Sequence, residues 1–500
     1  MKTVFVLFDS LNRHILESYG GSIVPTPNFN RLAARAQVFD SHYVGSLPCM
    51  PARRDMLTGH LSFLHRSWGP LEPFDNAFPE QLKQNGVHSH LITDHYHYWE
   101  DGGATYHNRY STFDFIRGQE SDPWKALVQP PWQRLREKFH ASELEFIDRV
   151  PKHKAHLINR EYIREEKDFP SVQCFAAGLD FLDANRDADD WFLQIETFDP
   201  HEPFYAPERL RRRFSDPHWT GGILDWPRYG RVEDLPEECD ELRANYYALV
   251  ALCDELLGNL LDYFDEHDLW NDTALVVTTD HGFLLGEHDF WAKNRMNMYQ
   301  EIANIPLMVH DPKNPGSTRH DRLTQSTDIA PTMLALHGLT PPDECQGRSL
   351  LEENEREALI FGYFGGAVNV TDGSTTYHRF PDNISEQELN QYTLMPTHIT
   401  SRFSVEELRG ASLAPPFDWS KDVPVLKVPV TERSPMYKNY GPGCLLESET
   451  RLYDVEADPR QEAPLDDPEL EAQMVEHMRA LMVANDAPKE AFTRLALAKP

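Results

Sequence analysis

Four short apolar segments each run straight into acidic or imidazole side chains, and this pattern limits the chain more than any other. Thr3 to Phe8 leads into Asp9-Ser10, Ser89 to Thr93 into Asp94-His95-Tyr96-His97, Trp191 to Glu196 towards Asp199-Pro200-His201, and Leu275 to Thr279 into Asp280-His281. Near-continuous apolar runs of this length suit strands buried on both faces of a parallel sheet. Helical patterns lie between them: Asn28 to Ala36, Pro79 to Asn85 stopped by Gly86, and the long stretch from Asp240 to Phe264. The alternation predicts an α/β domain with helices on both sheet faces. In open parallel sheets the ligand site lies outside the carboxyl ends of the strands. A single Asp after a strand is ordinarily a turn or cap residue. Four such ends together line one sheet edge with carboxylates and imidazoles, as a hard-cation or acid/base site requires.

Two segments interrupt the alternation as insertions, about 106–190 and about 205–235. After about Glu355 the texture changes to a strand at Ala358 to Tyr363, a Pro-rich stretch from Pro415 to Pro435, a short strand around Arg451 to Val455 and a closing helix from about Pro468 to Val483. The expected organisation is a catalytic domain over 1–354 and a smaller α+β domain over 355–500. With 48 Lys+Arg against 80 Asp+Glu the net charge is −32, which argues against a nucleic-acid or anionic-membrane binder. The opening Met1 to Phe8 stops at Asp9 without a small-residue cleavage site, and no apolar stretch is long enough to span a bilayer. The six cysteines (Cys49, Cys174, Cys239, Cys253, Cys345, Cys444) are scattered and read as free thiols, so a cytoplasmic protein is expected.

The sharpest motif is Cys49-Met50-Pro51-Ala52-Arg53. Pro51 suits a first helical turn and Gly59 closes a short helix, which puts Cys49 at a helix N-terminus where an anion is favoured. Here the chain resembles the type I sulfatases of the alkaline phosphatase superfamily, whose signature is Cys-x-Pro-x-Arg. Other blocks of that family follow in order: Thr26-Pro27-Asn28 before the signature, then Asp280-His281-Gly282, Gly286-Glu287-His288 and Lys293, Ile305-Pro306-Leu307, Asp328-Ile329-Ala330-Pro331-Thr332, and Leu452-Tyr453-Asp454. The resemblance implies a large mixed, mainly parallel sheet sandwiched by helices, alkaline phosphatase-like, with a smaller C-terminal α+β domain. It also implies oxidation of Cys49 to formylglycine by a separate formylglycine-generating enzyme. One hydroxyl of the hydrated aldehyde would attack sulfur beside a divalent metal, and the other would lose its proton to release sulfate. Arg53 would steady the hydrate, Lys293 would neutralise sulfate oxygens, and His201 would sit beside the leaving-group oxygen.

Two departures from the family pattern are informative. Ser10 stands where most sulfatases have a second acid, and His281 where many have Asn; choline sulfatases and phosphonate monoester hydrolases share the Asp-His variation. The metal set is therefore Asp9, Asp280, His281 and the Cys49-derived hydroxyl, with Ca²⁺ first and Mn²⁺ or Mg²⁺ as alternatives. The usual Gly-Lys-x-His after the second strand is replaced by Asp94-His95-Tyr96-His97. In the simplest register His95 contacts a sulfate oxygen and His97 takes the proton in the elimination step. A one-residue slip would put Asp94 at the lysine position instead.

The expected function is hydrolysis of a sulfate ester, leaning towards a sulfated carbohydrate, either a small molecule or an oligosaccharide. A phosphonate monoester or phosphodiester hydrolase of the same fold is the nearest alternative, and a catalytically silent binding protein is one of another class. Aromatic and cationic residues of the insertions (Trp124, Trp132, Lys152, Lys154, Arg160, Arg209, Arg211, Arg212, Arg213) and Tyr377, His378 and Arg379 are candidates for a sugar subsite. No nucleic-acid or membrane partner is expected, and a homo-oligomer is compatible with the resemblance.

Overall fold

A computed structural model describes residues 1–353, 355–381, 387–434, 437 and 447–497. Pro435 and Cys444, which figured in the sequence reading, lie outside the described residues. An eight-stranded sheet forms the centre, in the order Thr318–His320, Gln37–Phe39, Leu307–His310, Thr273–Thr279, Lys2–Phe8, Trp191–Thr197, His88–Thr93 and Thr112–Phe115. Leu307–His310 pairs antiparallel with both neighbours, and the other pairings are parallel. This is the mixed, mainly parallel sheet expected.

The strand Lys2–Phe8 shows why both faces must be covered. Val4, Val6 and Phe8 point into one apolar core with the long helix Pro236–Glu266, while Phe5 and Leu7 point into another with Met50, Phe78 and Met333. Alternate side chains on opposite faces, all apolar, make the strand stable only between two helical layers. The expected helix at Asn28 to Ala36 is shorter, Pro27–Ala33, and the one expected from Asp240 begins earlier, at Pro236. In both cases Pro opens the helix, its missing N–H falling where no partner exists.

The first insertion differs from expectation at both ends. Thr112–Phe115 pairs with His90 to Thr93 as the outermost strand of the main sheet, and the helix Pro170–Ala184 packs on Trp191–Thr197 in the main core. Both belong to the sheet layers, so the protruding part lies between them. The side chains of Thr112, Phe113 and Asp114 are exposed, which hides an edge strand from a reading based on burial.

Beyond residue 355 a five-stranded sheet runs Arg451–Asp454, Thr375–Arg379, Val368–Thr371, Leu359–Tyr363 and Ser46–Leu47. The helix Pro468–Ala484 lays Met474, Met478 and Met482, spaced four apart, onto this sheet. Ser46–Leu47 comes from the first part of the chain, pairing parallel with Gly362 and Tyr363. The residues just before Cys49 are therefore a strand of the second sheet. Among the described residues no helix is long and apolar enough to cross a membrane, and Cys49, Cys174, Cys239, Cys253 and Cys345 are free.

Candidate active site

The central strands end in register: Phe8 lies opposite both Thr197 and Thr279, and Thr93 lies opposite Glu196. The next residues of each strand therefore emerge on one edge. Cys49 begins the helix Cys49–Thr58, which ends at Gly59 in a left-handed turn (φ 76°). That helix is wholly buried and aims its first turn at the same edge. Ligand atoms of Asp9, Cys49, Asp280 and His281 all lie within 4.8 Å of one another. Cys49 Sγ is 3.2 Å from His281 Nε2 and 3.9 Å from Asp9 Oδ1.

Arg53, one helical turn beyond Cys49, holds this cluster from behind. Its Nη2 donates to Asp9 Oδ2 at 2.8 Å, Nη1 to Asp280 Oδ2 at 2.6 Å, and Nε to Glu196 Oε1 at 2.8 Å. A fourth contact reaches the Cys49 carbonyl at 3.1 Å. Three carboxylates on one buried guanidinium use the planar fork that lysine lacks. Glu196 was not among the candidate residues read from the sequence. It accepts further hydrogen bonds from Tyr98 Oη at 3.0 Å and Gln194 Nε2 at 2.9 Å. A signal existed, since Gln194 and Glu196 lie two apart in an interior strand and so share a face that must find a polar partner.

Three buried carboxylates, Asp9, Asp280 and Glu196, face two buried cations, Arg53 and Lys293. Burial and the neighbouring Asp280 push the Asp9 carboxyl up to about 7. Asp280 is held below the usual carboxylate range, the effect of burial being overruled by His281, Arg53 and Lys293. Two adjacent buried carboxylates ionise together only with a counter-charge. His95 points the same way: it is fully buried, neither ring nitrogen has a hydrogen-bond partner, and its Nε2 lies 3.7 Å from Asp9 Oδ2. The donor set of two carboxylates, an imidazole and the residue-49 group, with an orphaned imidazole alongside, fits a divalent metal.

The remaining candidates surround Cys49 as follows. Lys293 Nζ is 3.6 Å from Cys49 Sγ and donates to Ser10 Oγ at 2.8 Å, and Ser10 in turn donates to Asp9 Oδ1 at 2.8 Å. Ser10 is held in the left-handed region (φ 61°), with its N–H donated to Asp280 Oδ1 at 3.0 Å. His201 gives its Nδ1 proton to the Glu202 carbonyl at 2.6 Å, leaving Nε2 as an acceptor. Burial, then Lys293, pushes its pKa well below the ordinary value, so the ring is neutral. His97 pairs through Nδ1 with Glu100 and faces Glu120 through Nε2 at 3.6 Å. Asp94 turns away and accepts the Phe198 N–H at 2.7 Å, which leaves His95 and His97, rather than Asp94, near the cluster. Burial and Asp9 hold the Cys49 thiol far above its usual range, so as a thiol it is a poor nucleophile.

A cavity of about 820 Å³ opens above Cys49, with Trp68, Phe146, Phe198, Trp226 and Tyr229 among its walls. Of the proposed sugar-contacting residues only Lys152 reaches it. Arg160 is instead paired with buried Asp225, and Arg209 with Glu166 and Glu255. Tyr377 donates to Glu471, and His378 meets Gln461 in the second sheet. Trp124, Trp132, Lys154, Arg211, Arg212, Arg213 and Arg379 do not line it either.

A cluster that could hold a metal at the carboxyl edge of a mixed, mainly parallel sheet, with a cysteine at a helix start, is the arrangement of an alkaline phosphatase-like hydrolase fold. The Sulfatase family model matches residues 2–339, more than half of the chain, and the chain belongs to that family. The reaction class is hydrolysis of a sulfuric ester. An arylsulfatase of Clostridium perfringens is 22% identical over 407 residues, covering 75% of this chain and 82% of the relative. An N-acetylglucosamine-6-O-sulfatase of Bacteroides thetaiotaomicron is 24% identical over 424 residues, covering 72% and 74%. Among solved structures, one in complex with its substrate D-glucosamine-2-N,6-O-disulfate superposes with TM-score 0.67 at 14% identity over 98% of this chain and 99% of the other. The phosphonate monoester hydrolase of Agrobacterium radiobacter gives 0.62 at 17% identity over 96% and 95%. At these identities the structural likeness speaks for the fold.

Proposed function

We propose that the protein removes sulfate from a sulfated carbohydrate fragment, with formylglycine derived from Cys49 as nucleophile. The observation that carries this reading is the convergence of Asp9, Cys49, Asp280 and His281 within 4.8 Å, with Lys293 Nζ 3.6 Å from the Cys49 sulfur. Asp9, Asp280, His281 and the oxidised residue 49 would hold the ion, which supplies Lewis acidity when bound. Ca²⁺ is the ion proposed, with Mn²⁺ or Mg²⁺ as alternatives given the imidazole in the set.

The chain's own residues divide the remaining work. Arg53 fixes Asp9, Asp280 and the residue-49 backbone in one frame. Lys293 places an ammonium where sulfate oxygens gain charge. His201 is neutral with Nε2 free, and an incoming sulfate monoanion opposes the burial and Lys293 field that keep it so. Its protonation on substrate binding would supply the proton that the departing alcohol needs. His97, aligned by Glu100, accepts the proton given up when sulfate is released, and His95 stands beside Asp9 and the sulfate oxygens. Aromatic walls at Trp68, Phe146 and Trp226 suit the faces of sugar rings. The relative acting on N-acetylglucosamine-6-O-sulfate supports a carbohydrate substrate. The division of the chain at about residue 354 is part of the same reading.

Two measurements test it. Mass spectrometry of the peptide holding Cys49, after expression with a maturing enzyme, is expected to find an aldehyde in place of the thiol. Turnover of an aryl sulfate should exceed that of phosphodiesters and phosphonate monoesters with the same leaving group. A ratio below one would transfer the protein to the phosphonate-hydrolase reading, and an unmodified thiol would favour the silent one.

A further inference from the structure

Two buried carboxylates beside the reaction centre have no use in the mechanism above. Glu120 is 8% and Glu202 is 2% exposed, and both line the cavity that opens on Cys49. The Oε2 atom of each lacks a hydrogen-bond partner. Glu202 Oε2 lies 3.2 Å from His201 Nδ1, but that nitrogen's single proton is directed at the Glu202 carbonyl. Its other oxygen accepts from Tyr229 Oη. Glu120 Oε2 is 3.6 Å from His97 Nε2, beyond hydrogen-bond reach. Glu120 also holds a left-handed backbone (φ 45°), a conformation that costs a non-glycine residue free energy.

These groups sit badly in a site that binds only an anion. Arg53 is already shared by Asp9, Asp280 and Glu196, and Lys293 is left to face the sulfate. Further out on the cavity wall Arg149 and Arg228 pair with Glu145 and Arg231 with Glu447, while Lys152, between Val150 and His153 in a short helical turn, pairs with neither Glu120 nor Glu202. Burial pushes the Glu202 carboxyl up to about 7 even with Lys293 opposing it. Two carboxyls that lack a full set of hydrogen bonds are costly, and once ionised they repel a sulfate. Both costs vanish if the substrate brings a positive charge with N–H donors to the same place. Trp68 packs on His97, Phe198 on His201, and Tyr229 donates to Glu202, so these cavity-lining rings stand beside the two carboxylates, and aromatic faces also attract ammonium groups.

We infer that Glu120 and Glu202 form a subsite for an ammonium group on the alcohol part of the substrate, so that the preferred sulfate ester is zwitterionic. In the carbohydrate case this is a sulfated amino sugar with an unsubstituted nitrogen. The inference rests on the proposed sulfatase reading for its reaction but not for its binding contacts.

The test compares kcat/KM of the matured, metal-loaded enzyme for D-glucosamine 6-sulfate, D-glucose 6-sulfate and N-acetyl-D-glucosamine 6-sulfate. The amine is expected to lead the two sulfates that lack an ammonium by about tenfold or more, the range of a charge-assisted contact. Glu120→Gln and Glu202→Gln should each pull the ratio towards unity, and because amide replaces acid at equal size neither should unfold the chain. Parity in the unsubstituted enzyme, or a preference unchanged in both variants, overturns the inference. Calorimetric binding of the same three sugars to metal-loaded Cys49→Ala protein separates the two claims. Amine preference in binding without turnover of any sulfate ester, p-nitrophenyl sulfate included, would remove the sulfatase reading and keep the subsite. Turnover without amine preference would do the reverse.

Discussion

Replacing Arg53 by Lys tests the framework of the site most directly. The guanidinium is 1% exposed and bonds Asp9, Asp280 and Glu196 at 2.6–2.8 Å. A lysine ammonium keeps the charge but cannot span three carboxylates in a plane, so two of them lose their partner. Breaking a buried pair by removing one member costs about 3–5 kcal/mol. We expect a loss of at least that size in urea unfolding of metal-free Arg53→Lys protein, carbonyl contact included. A divalent ion at the proposed site would take over Asp9 and Asp280 but not Glu196, so saturating metal should recover roughly half of it. Adding Glu196→Gln removes the carboxylate that metal does not reach, and the double variant should be more stable than the sum of the singles by about 1.5 kcal/mol or more, well outside the ~0.5 kcal/mol scatter of independent sites. Additive single effects, or a defect insensitive to metal, would refute the view that Arg53 and the ion share one set of carboxylates.

Two further outcomes follow from buried carboxyls elsewhere. Asp55, fully buried, accepts from Ser46 N, Ser62 N and Ser62 Oγ, and burial pushes its pKa up to about 6 from 3.8. A carboxyl raised in the folded state contributes fully below pH 4 and loses that contribution as pH climbs to about 6. The stability of the unsubstituted protein relative to Asp55→Asn should therefore fall by about 3 kcal/mol over that interval, and a gap constant with pH in denaturant titrations would contradict the assignment. Glu143 joins the two insertions by accepting the backbone N–H of Asp225 at 2.7 Å and Trp226 at 2.5 Å. Glu143→Ala leaves both amides unpaired, at about 1–3 kcal/mol each, and limited proteolysis should cut near residues 215–230 faster than in the parent; equal cutting rates would show that the tie is not what holds this wall.

Much of the site could be read before the structure because its parts lie at strand ends. An apolar run that stops at Asp9 or Asp280 marks both the sheet edge and the residue delivered to it, so one pattern encodes fold and chemistry together. Cys49 was legible for a similar reason, with Pro51 and Gly59 bracketing its helix. Glu196 was harder to see because it lies inside the strand rather than after it, and its partner Arg53 is 143 residues away. The insertion arginines misled for the opposite reason. Arg209 looks available in sequence, but Glu166 and Glu255, both distant in the chain, neutralise it on the surface. The aromatic cavity wall depends on how the two insertions meet at Glu143, Asp225 and Trp226, a contact no local spacing announces.

The two-residue strand Ser46–Leu47 has a consequence for synthesis. Its partners, Gly362 and Tyr363, are made more than 300 residues later, at roughly 5–20 residues per second on a ribosome. Until they emerge, the segment leading into Cys49 lacks its strand partner and has one flank open. If Cys49 is converted as proposed, an enzyme acting during synthesis would have a window of tens of seconds before the far end of the polypeptide docks.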